Sequence, residues 1–208
     1  CIWKDGCQNI NDIKTTTPVV VPVTTYTGSE KEFNKEKIIA IAGLDSSMSA
    51  QRILAIAEVE SSLEHYDSNG NVKRSSSNAI GLMQIETNTG MSDCGMSISD
   101  LENIDNNIRC GIKVLKIKYN QYVGGCENSW AYKEMDSKYD NFRSLCDTCT
   151  TSSSNPNTRR RNYPYNKYFG WDAAYRAYNG WGCDSSKGAD PDYVEKVRRA
   201  EVKYAGIT

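Results

Sequence analysis

One glutamate is placed where it could do acid–base chemistry. Glu60 follows Ile53, Ile56 and Ala57 at helical spacings, so it lies on the apolar face of a predicted helix. Burial disfavours the charged form of a carboxyl, so we expect its pKa to rise from the usual value of about 4.3. A carboxyl that stays protonated near neutral pH is a general acid. The same placement also suits a structural glutamate paired with an arginine or a backbone donor, whereas Glu58 lies on another face and is expected to be solvated.

The composition argues against several other chemistries. The 208 residues include one histidine, His65, so a multi-histidine metal site is impossible and any Ser-His-Asp or Cys-His mechanism would need that residue. His65 falls in a polar loop, and we expect it to be exposed and without a catalytic role. The 25 basic and 26 acidic residues argue against a dedicated nucleic-acid binder. No apolar run approaches the roughly 20 residues of a membrane span, and no metal or cofactor is expected.

Several short motifs follow the glutamate in order along the chain. They are Glu60-Ser61, Ser75 to Ala79, Gly81-Leu82-Met83-Gln84-Ile85, Asn107-Ile108 with Gly111 and Leu115, Ala177-Tyr178-Asn179-Gly180, and Tyr193-Val194. In order and spacing this set resembles the soluble lytic transglycosylase family, the relative of goose-type lysozyme. The resemblance covers about residues 50–123 and 170–200.

The resemblance implies a lysozyme-like α fold with a groove between two helical lobes. It also implies cleavage of the β-1,4 bond between N-acetylmuramic acid and N-acetylglucosamine in peptidoglycan, with Glu60 as the acid. Either the muramoyl 6-hydroxyl then closes a 1,6-anhydro ring or a water attacks. Ordinary glycosidases use two carboxylates. No motif supplies a second one here, although Asp93, Asp100 or Asp105 could lie nearby in space.

The matched motifs also imply a set of substrate-binding residues. These are Ser61, Ser75, Gly81, Met83, Gln84, Tyr178 and Asn179. A glycine at position 81 would let the backbone approach the sugar. The thioether at position 83 would give an adaptable apolar wall, and the amide at position 84 could bind an acetamido group, although it could equally be a surface glutamine.

The remaining matched residues have simpler alternatives. Ser61 could orient the acid or cap a helix end. Tyr178 and Asn179 could hold the acid and the substrate, but Asn-Gly also suits a helix end. The chain departs from the family pattern at Asn78, where glycine is usual, and at Thr87, where proline is usual.

The periodicity predicts a mostly α fold with room for only a small sheet. A first helix is expected from Phe33 to near Gly43, and a second is capped by Ser47 or Ser49. A loop should follow over residues 65–78. The later helices are expected at Ile80–Glu86, from Ser99 and Asp100 through the stripe ending at Tyr122, at Trp171–Tyr178, and after Asp190-Pro191 with Val194, Val197 and Tyr204 facing inward.

Two segments are expected to lie outside this helical pattern. We divide the chain into an extended N-terminal segment, residues 1–32, and a lysozyme-like transglycosylase domain, residues 33–208, with a disulfide-tied insertion at about 124–168. Residues 15–27 are rich in Thr, Val and Pro, which favours an extended spacer. The alternative is a strand donated to a neighbouring subunit, which would give self-association.

Cysteine usage indicates an oxidising compartment. The chain has eight cysteines, and the even number favours disulfides, with Cys1–Cys7 and Cys94–Cys110 as the preferred local pairs. We therefore expect an extracytoplasmic protein that is secreted, periplasmic or at the cell surface. A chain beginning at Cys1 is what a processed, mature protein would show. A lipid anchor at Cys1 is the alternative, and it would leave one cysteine unpaired.

A second class of function also fits the sequence. The chain could be an extracellular structural or adhesive subunit that uses a lysozyme-like domain to bind glycan and the N-terminal segment for assembly. Loss of the glutamate would favour this reading, and Glu60 is present.

Overall fold

Helices make up most of the regular structure. The computed structural model describes residues 28–45, 47–124, 168–180, 190 and 192–207. Within these ranges the α-helices are α1 (Glu30–Ala42), α2 (Ala50–Ser61), α3 (Thr87–Thr89), α4 (Ile98–Leu101), α5 (Ile104–Tyr122), α6 (Gly170–Asn179) and α7 (Tyr193–Lys203). The predicted mostly α fold is confirmed. None of the helices described is long and apolar enough to cross a membrane.

Helix α2 runs through the centre of the core. Ser49 caps it by accepting a hydrogen bond from the Arg52 amide, as one of the two predicted caps. Its residues 53–57 are all fully buried, so α2 is covered on every side. Helices α1 and α7 both pack against it. Burial of each large aliphatic side chain stabilises the fold by about 1.5–3 kcal/mol, which fixes the position of α2.

Helix α1 begins slightly earlier than the periodicity indicates. The predicted start is Phe33, but the Ser29 side chain accepts a hydrogen bond from the Glu32 amide and the helix starts at Glu30. It ends before Gly43, as predicted. Residues 1–27, which include the predicted extended segment 15–27, and nearly all of the predicted insertion lie outside the described residues.

The segment after α2 folds as a series of turns. Isolated antiparallel bridges join Tyr66 to Val72, Arg74 to Ile80 and Ile80 to Ile85. The helix predicted at Ile80–Glu86 is wrong. Gly81 and Gln84 have φ angles of 72° and 46°, and a right-handed helix cannot pass through left-handed residues.

The predicted long helix is interrupted near its start. Ser97 and Asp100 form a capping box that opens only the short α4. Asn103 then caps α5, because its side chain accepts from the amides of Asp105 and Asn106 at 3.0 and 3.2 Å. The predicted apolar stripe is otherwise confirmed, with Ile108, Ile112, Leu115 and Tyr122 all buried.

The last two helices form close to where the sequence places them, although the N-cap residue of α7 is Asp192 and not the predicted Asp190. Helix α6 ends at Asn179-Gly180, as predicted. Helix α7 starts at Tyr193, whose amide donates to the Asp190 carbonyl at 3.2 Å. Val194, Val197 and Tyr204 are buried, which confirms their predicted inward orientation. Helix α6 packs against α5 and α7.

One predicted disulfide is confirmed. Cys94 is bonded to Cys110, with Cα atoms 5.6 Å apart. The bond ties α5 to Gly90–Cys94, a single π-helical turn that continues α3. The other six cysteines, including the predicted Cys1–Cys7 pair, lie outside the described residues.

Removing this bridge should destabilise the fold. The cysteines are 16 residues apart, so the loop-entropy relation predicts that Cys94→Ala/Cys110→Ala lowers the free energy of unfolding by about 3 kcal/mol. Urea denaturation measures the change. As a control, Cys94→Ala alone should expose one extra thiol to alkylation in the denatured, unreduced protein. An unchanged denaturation midpoint in the double variant would contradict the prediction.

Candidate active site

A cleft of about 290 Å³ lies at the C-terminal ends of α2 and α6. Its other walls come from the turns that follow Ser75 and from α3 and α5. The residues that line it are Glu60, Ser75, Ser77, Ala79, Gln84, Ile85, Glu86, Thr89, Val114, Lys118, Ala177, Tyr178, Asn179 and Gly180. The cleft therefore brings together residues from motifs that are up to 120 positions apart (60 to 180) in the chain.

Glu60 lies in the cleft wall with a raised pKa. It is the penultimate residue of α2 and keeps part of its surface open. Burial raises the pKa of its carboxyl to about 7, and the nearby negative charge of Asp190 adds to the rise. A hydrogen bond from the Tyr193 hydroxyl to Oε1, at 2.6 Å, opposes it. Near neutral pH the group can therefore both hold and release a proton.

Glu58 on the same helix has the opposite behaviour. Burial tends to raise its pKa, but hydrogen bonds from Lys203 and Tyr204 lower it below its ordinary value. Glu58 is therefore an ion-paired, partly buried residue and not the freely solvated one that we expected. Glu60, by contrast, forms no ion pair with any lysine or arginine of the described residues.

The residues of the turn from Gly81 to Gln84 face either the protein core or the cleft. A Cβ at Gly81 would lie 2.6 Å from a ring carbon of His65. Glycine is therefore needed because the buried imidazole leaves no room for a side chain. We had expected instead that glycine makes room for the sugar. Met83 is fully buried against Gly111 and does not line the cleft as an apolar wall. Gln84 does line it, and its Nε2 donates to the Gly81 carbonyl at 2.7 Å.

The two predicted serines also differ in position. Ser61 is buried, does not line the cleft, and donates its hydroxyl proton to the Ala57 carbonyl at 2.9 Å. Ser75 lines the cleft, and its Oγ accepts from the amide of Ala79 at 3.0 Å. Ser75 thus shapes the turn and presents its hydroxyl to the cleft. The Ser61 side chain, by contrast, hydrogen-bonds only to a backbone carbonyl of its own helix.

Tyr178 and Asn179 line the cleft but do not hydrogen-bond to Glu60. The Tyr178 hydroxyl donates to the Met83 carbonyl at 2.8 Å, which joins α6 to the turn below it. The Asn179 Oδ1 accepts from the amide of Asp190 at 2.7 Å. The residue that holds the Glu60 carboxyl is Tyr193.

Sequence reasoning missed three contributors to the site. Tyr193 is present in the matched motifs, but nothing in its spacing shows that α7 crosses α2 at Glu60. Glu86 and Lys118 line the cleft without belonging to any motif. Position 118 does follow Val114 and Leu115 at helical spacing, which is the one available signal for a residue at the edge of a buried face.

The three alternative carboxylates are placed elsewhere. Asp100 forms the α4 capping box, and Asp105 pairs with Lys37 at 2.5 Å. Asp93 accepts a hydrogen bond from the Ser92 hydroxyl at 2.9 Å. None of the three lines the cleft.

Comparison with known proteins identifies the family of the chain. A family model described as "Transglycosylase SLT domain" matches residues 37–142. The chain belongs to this family. The family match includes Glu60, the Gly81–Gln84 turn and all of α5, and the fold is the mostly α, lysozyme-like one of the SLT domain. No curated protein matches the chain, and no solved structure does.

Removing the hydroxyl of Tyr193 should raise the pKa of Glu60. The Tyr193 hydrogen bond lowers the pKa of Glu60. Without it, in Tyr193→Phe, Glu60 should stay protonated to a higher pH. The alkaline limb of the pH–activity profile of this SLT domain should therefore move to higher pH. The matched control is Tyr204→Phe, which removes a hydroxyl from Glu58 instead and should leave the limb in place. A shift to lower pH, or equal shifts in both variants, would contradict the prediction.

Proposed function

We propose that the protein cleaves the β-1,4 bond between N-acetylmuramic acid and N-acetylglucosamine in peptidoglycan. The SLT family supports glycan cleavage of the lytic transglycosylase type in general. The observation that carries the finer proposal is the carboxyl of Glu60. It borders the cleft, its pKa is about 7, and a tyrosine fixes its orientation.

In this mechanism Glu60 transfers one proton in each direction. The protonated carboxyl gives its proton to the glycosidic oxygen while the bond from that oxygen to C1 breaks. The resulting carboxylate takes a proton from the muramoyl 6-hydroxyl, whose oxygen bonds to C1 and closes the 1,6-anhydro ring. In the hydrolytic mode a water takes the place of this hydroxyl. A pKa near neutrality suits both half-reactions, because neither protonation state is strongly favoured.

The cleft offers complementary groups for an N-acetylated sugar chain. The Oε1 of Gln84 has no hydrogen-bond partner among the described residues and can accept from an acetamido N–H. Ser75, Tyr178 and Asn179 add hydroxyl and amide groups along the same cleft. Lys118 supplies a cation that suits the carboxylates of a peptidoglycan stem peptide. Ser61, Gly81 and Met83 act indirectly in this proposal, through packing and backbone shape.

The same proposal includes an extracytoplasmic location. Peptidoglycan lies outside the cytoplasm, and the Cys94–Cys110 disulfide is of a kind that persists in oxidising compartments. The alternative of a purely structural, glycan-binding subunit is not favoured, because that role needs no carboxyl with a pKa near 7.

Replacing the acid should abolish cleavage and change how stability depends on pH. Glu60→Gln should lose about 10²–10⁴-fold in kcat on purified peptidoglycan. Because the folded pKa of about 7 exceeds the ordinary 4.5, protonated Glu60 stabilises the fold fully below about pH 4.5, and this contribution is lost as pH rises through 7. Glu60→Gln should therefore gain stability relative to the wild type between pH 5 and 8.

The matched control for this variant is Glu58→Gln on the same helix. Its carboxyl has a lowered pKa and does not line the cleft, so cleavage should persist. Release of soluble muropeptides from purified peptidoglycan measures cleavage in either mode of reaction, and urea denaturation at several pH values measures stability. A folded Glu60→Gln protein with wild-type activity would refute the proposed role.

The products distinguish the two modes of reaction. Mass spectrometry of digested peptidoglycan should show muropeptides with a 1,6-anhydro end, which are one water lighter than hydrolysed ones. Digestion in ¹⁸O-labelled water gives an independent check, since the transglycosylase mode takes up no label. Labelled, heavier products would show that the enzyme acts as a lysozyme.

A further inference from the structure

The chain's single histidine is fully buried, contrary to the expected exposed position. His65 has 0% exposure and lies beneath the Gly81–Gln84 turn. Its Nδ1 accepts a hydrogen bond from the Leu82 amide at 3.0 Å, and its Nε2 contacts the Glu102 carbonyl at 2.8 Å. An amide can only donate and a carbonyl can only accept, so the ring must be neutral with its proton on Nε2.

The backbone on both sides of the ring is also fixed. The His65 carbonyl accepts from the Lys73 amide at 2.8 Å, and the Lys73 carbonyl accepts from the Gly81 amide at 2.8 Å. The imidazole occupies the space that a side chain at Gly81 would need. The ring and the turn therefore fit each other closely, and a change in either must move the other.

A second side chain supports the same turn from α5. Asn107 is fully buried, accepts from the Met83 amide at 2.8 Å, and donates to the Ile80 carbonyl at 2.9 Å. Consecutive amides of the turn, at Leu82 and Met83, are therefore satisfied by side chains and not by regular backbone pairing. Asn107 does not titrate, so His65 is the one support of this pair that can change charge.

The turn connects directly to the cleft. Its Gly81 carbonyl accepts from the cleft residue Gln84, whose own backbone has a φ of 46°. Its Met83 carbonyl accepts from the hydroxyl of Tyr178 on the opposite wall. A displacement of Leu82 would therefore reach residues on both sides of the cleft.

We propose that His65 is a proton-sensitive positioning residue: the neutral ring holds the Gly81–Gln84 turn in its binding geometry, and protonation of Nδ1 releases it. A proton on Nδ1 would direct N–H against the Leu82 N–H, leaving a buried donor without an acceptor. The cleft would then lose the placement of Gln84. The consequence for catalysis rests on the proposed function, whereas the release of the turn does not.

The burial of the ring and the charges around it determine the pH at which His65 is protonated and the turn is released. Burial lowers the pKa of His65, while the hydrogen bond to the Glu102 carbonyl and the negative charge of Glu30 oppose the shift. The Glu30 carboxylate accepts from the His65 amide at 2.7 Å, the ring of Tyr66 stands edge-on at 4.8 Å, and the Glu102 carboxylate is paired with Arg74. The ring is therefore neutral at neutral pH, and this contribution to stability is lost as pH falls below about 6.5.

Because the 208-residue chain has one histidine, NMR of this whole chain tests the release without interference from other imidazoles. At pH 7 the ring ¹⁵N shifts should show Nε2 protonated and Nδ1 bare, with a scalar coupling across the hydrogen bond to the Leu82 nitrogen. On acidification the coupling should disappear at the same midpoint as ring protonation, and the amide of Leu82 should lose exchange protection. The opposite tautomer, or a ring that titrates while Leu82 stays protected, would overturn the proposal.

Two isosteric variants separate positioning from simple packing. Asparagine places its oxygen near the position of Nδ1, so His65→Asn can still accept from Leu82 but cannot be protonated. Glutamine reaches the position of Nε2, so His65→Gln leaves the Leu82 amide unpaired. We expect His65→Gln to raise KM about tenfold or more at neutral pH. His65→Asn should keep KM near wild type and lose the acid limb of the pH profile.

The outcomes distinguish this proposal from the function on which part of it rests. Equal losses in the two variants, or an acid limb that persists in folded His65→Asn, would overturn the positioning role. If wild-type protein cleaves no peptidoglycan, the proposed function fails, but the NMR titration still decides whether His65 holds and releases the turn. The alkaline limb assigned to Glu60 should be unchanged in both variants, which separates the two titrations.

Discussion

The desolvated carboxyl of Glu60 is the constraint on which the site depends. A carboxylate loses hydration when it is enclosed by protein, and this loss is the largest cause of its raised pKa. Glu60 lies near the end of α2, whose residues 53–57 are fully buried, and α7 packs against this helix. Glu58, two positions earlier, forms an ion pair with Lys203 and is an ordinary carboxylate. Glu58 and Glu60 are separated by a rotation of about 200° around the helix axis. Their different surroundings make Glu60 a proton donor and Glu58 a structural anion.

The motifs at 81–85 and 107–111 form the two halves of one packing contact. Met83 lies so close to Gly111 that a Cβ there would come within 2.7 Å of its side chain. Asn107, one helical turn earlier on α5, binds the backbone of the same turn. A glycine and an asparagine in α5 are thus required by the turn and not by the helix. This explains why two residues of low helix propensity occur within a long, regular helix.

Periodicity and capping chemistry were sufficient to predict the main helices. The apolar stripes of α5 and α7 are confirmed, because burial of one face decides whether a helix is stable. Helix α2 is buried on more than the predicted face. The start of the long helix, predicted at Ser99 and Asp100, is wrong because Ser97 caps only the short α4 and Asn103 caps α5. The turn at Gly81 was not predicted, because a positive φ at a non-glycine residue such as Gln84 is uncommon.

The parts of the site that were missed depend on contacts between distant segments. His65 looks like a loop residue because its neighbours in sequence are polar, and only the fold brings Leu82 and Glu102 to its two nitrogens. Tyr193 is 133 positions from Glu60. Local sequence patterns carry no information on either pairing.

Packing, and not hydrogen bonding, determines where the acid and its tyrosine meet. Tyr193 is carried by α7, whose Val194 and Val197 are fully buried in the core. Burying the two valines contributes about 3–6 kcal/mol together, whereas a hydrogen bond to a charged carboxylate contributes about 1.5–3 kcal/mol. The hydrogen bond to Glu60 is therefore the smaller of the two contributions to the position of α7. The hydrophobic core sets the position of the helix, and the hydroxyl then meets a carboxyl whose own position is set by the burial of α2. Core substitutions in α7, far from the substrate, would consequently act on the pKa of the acid through the distance between these two groups.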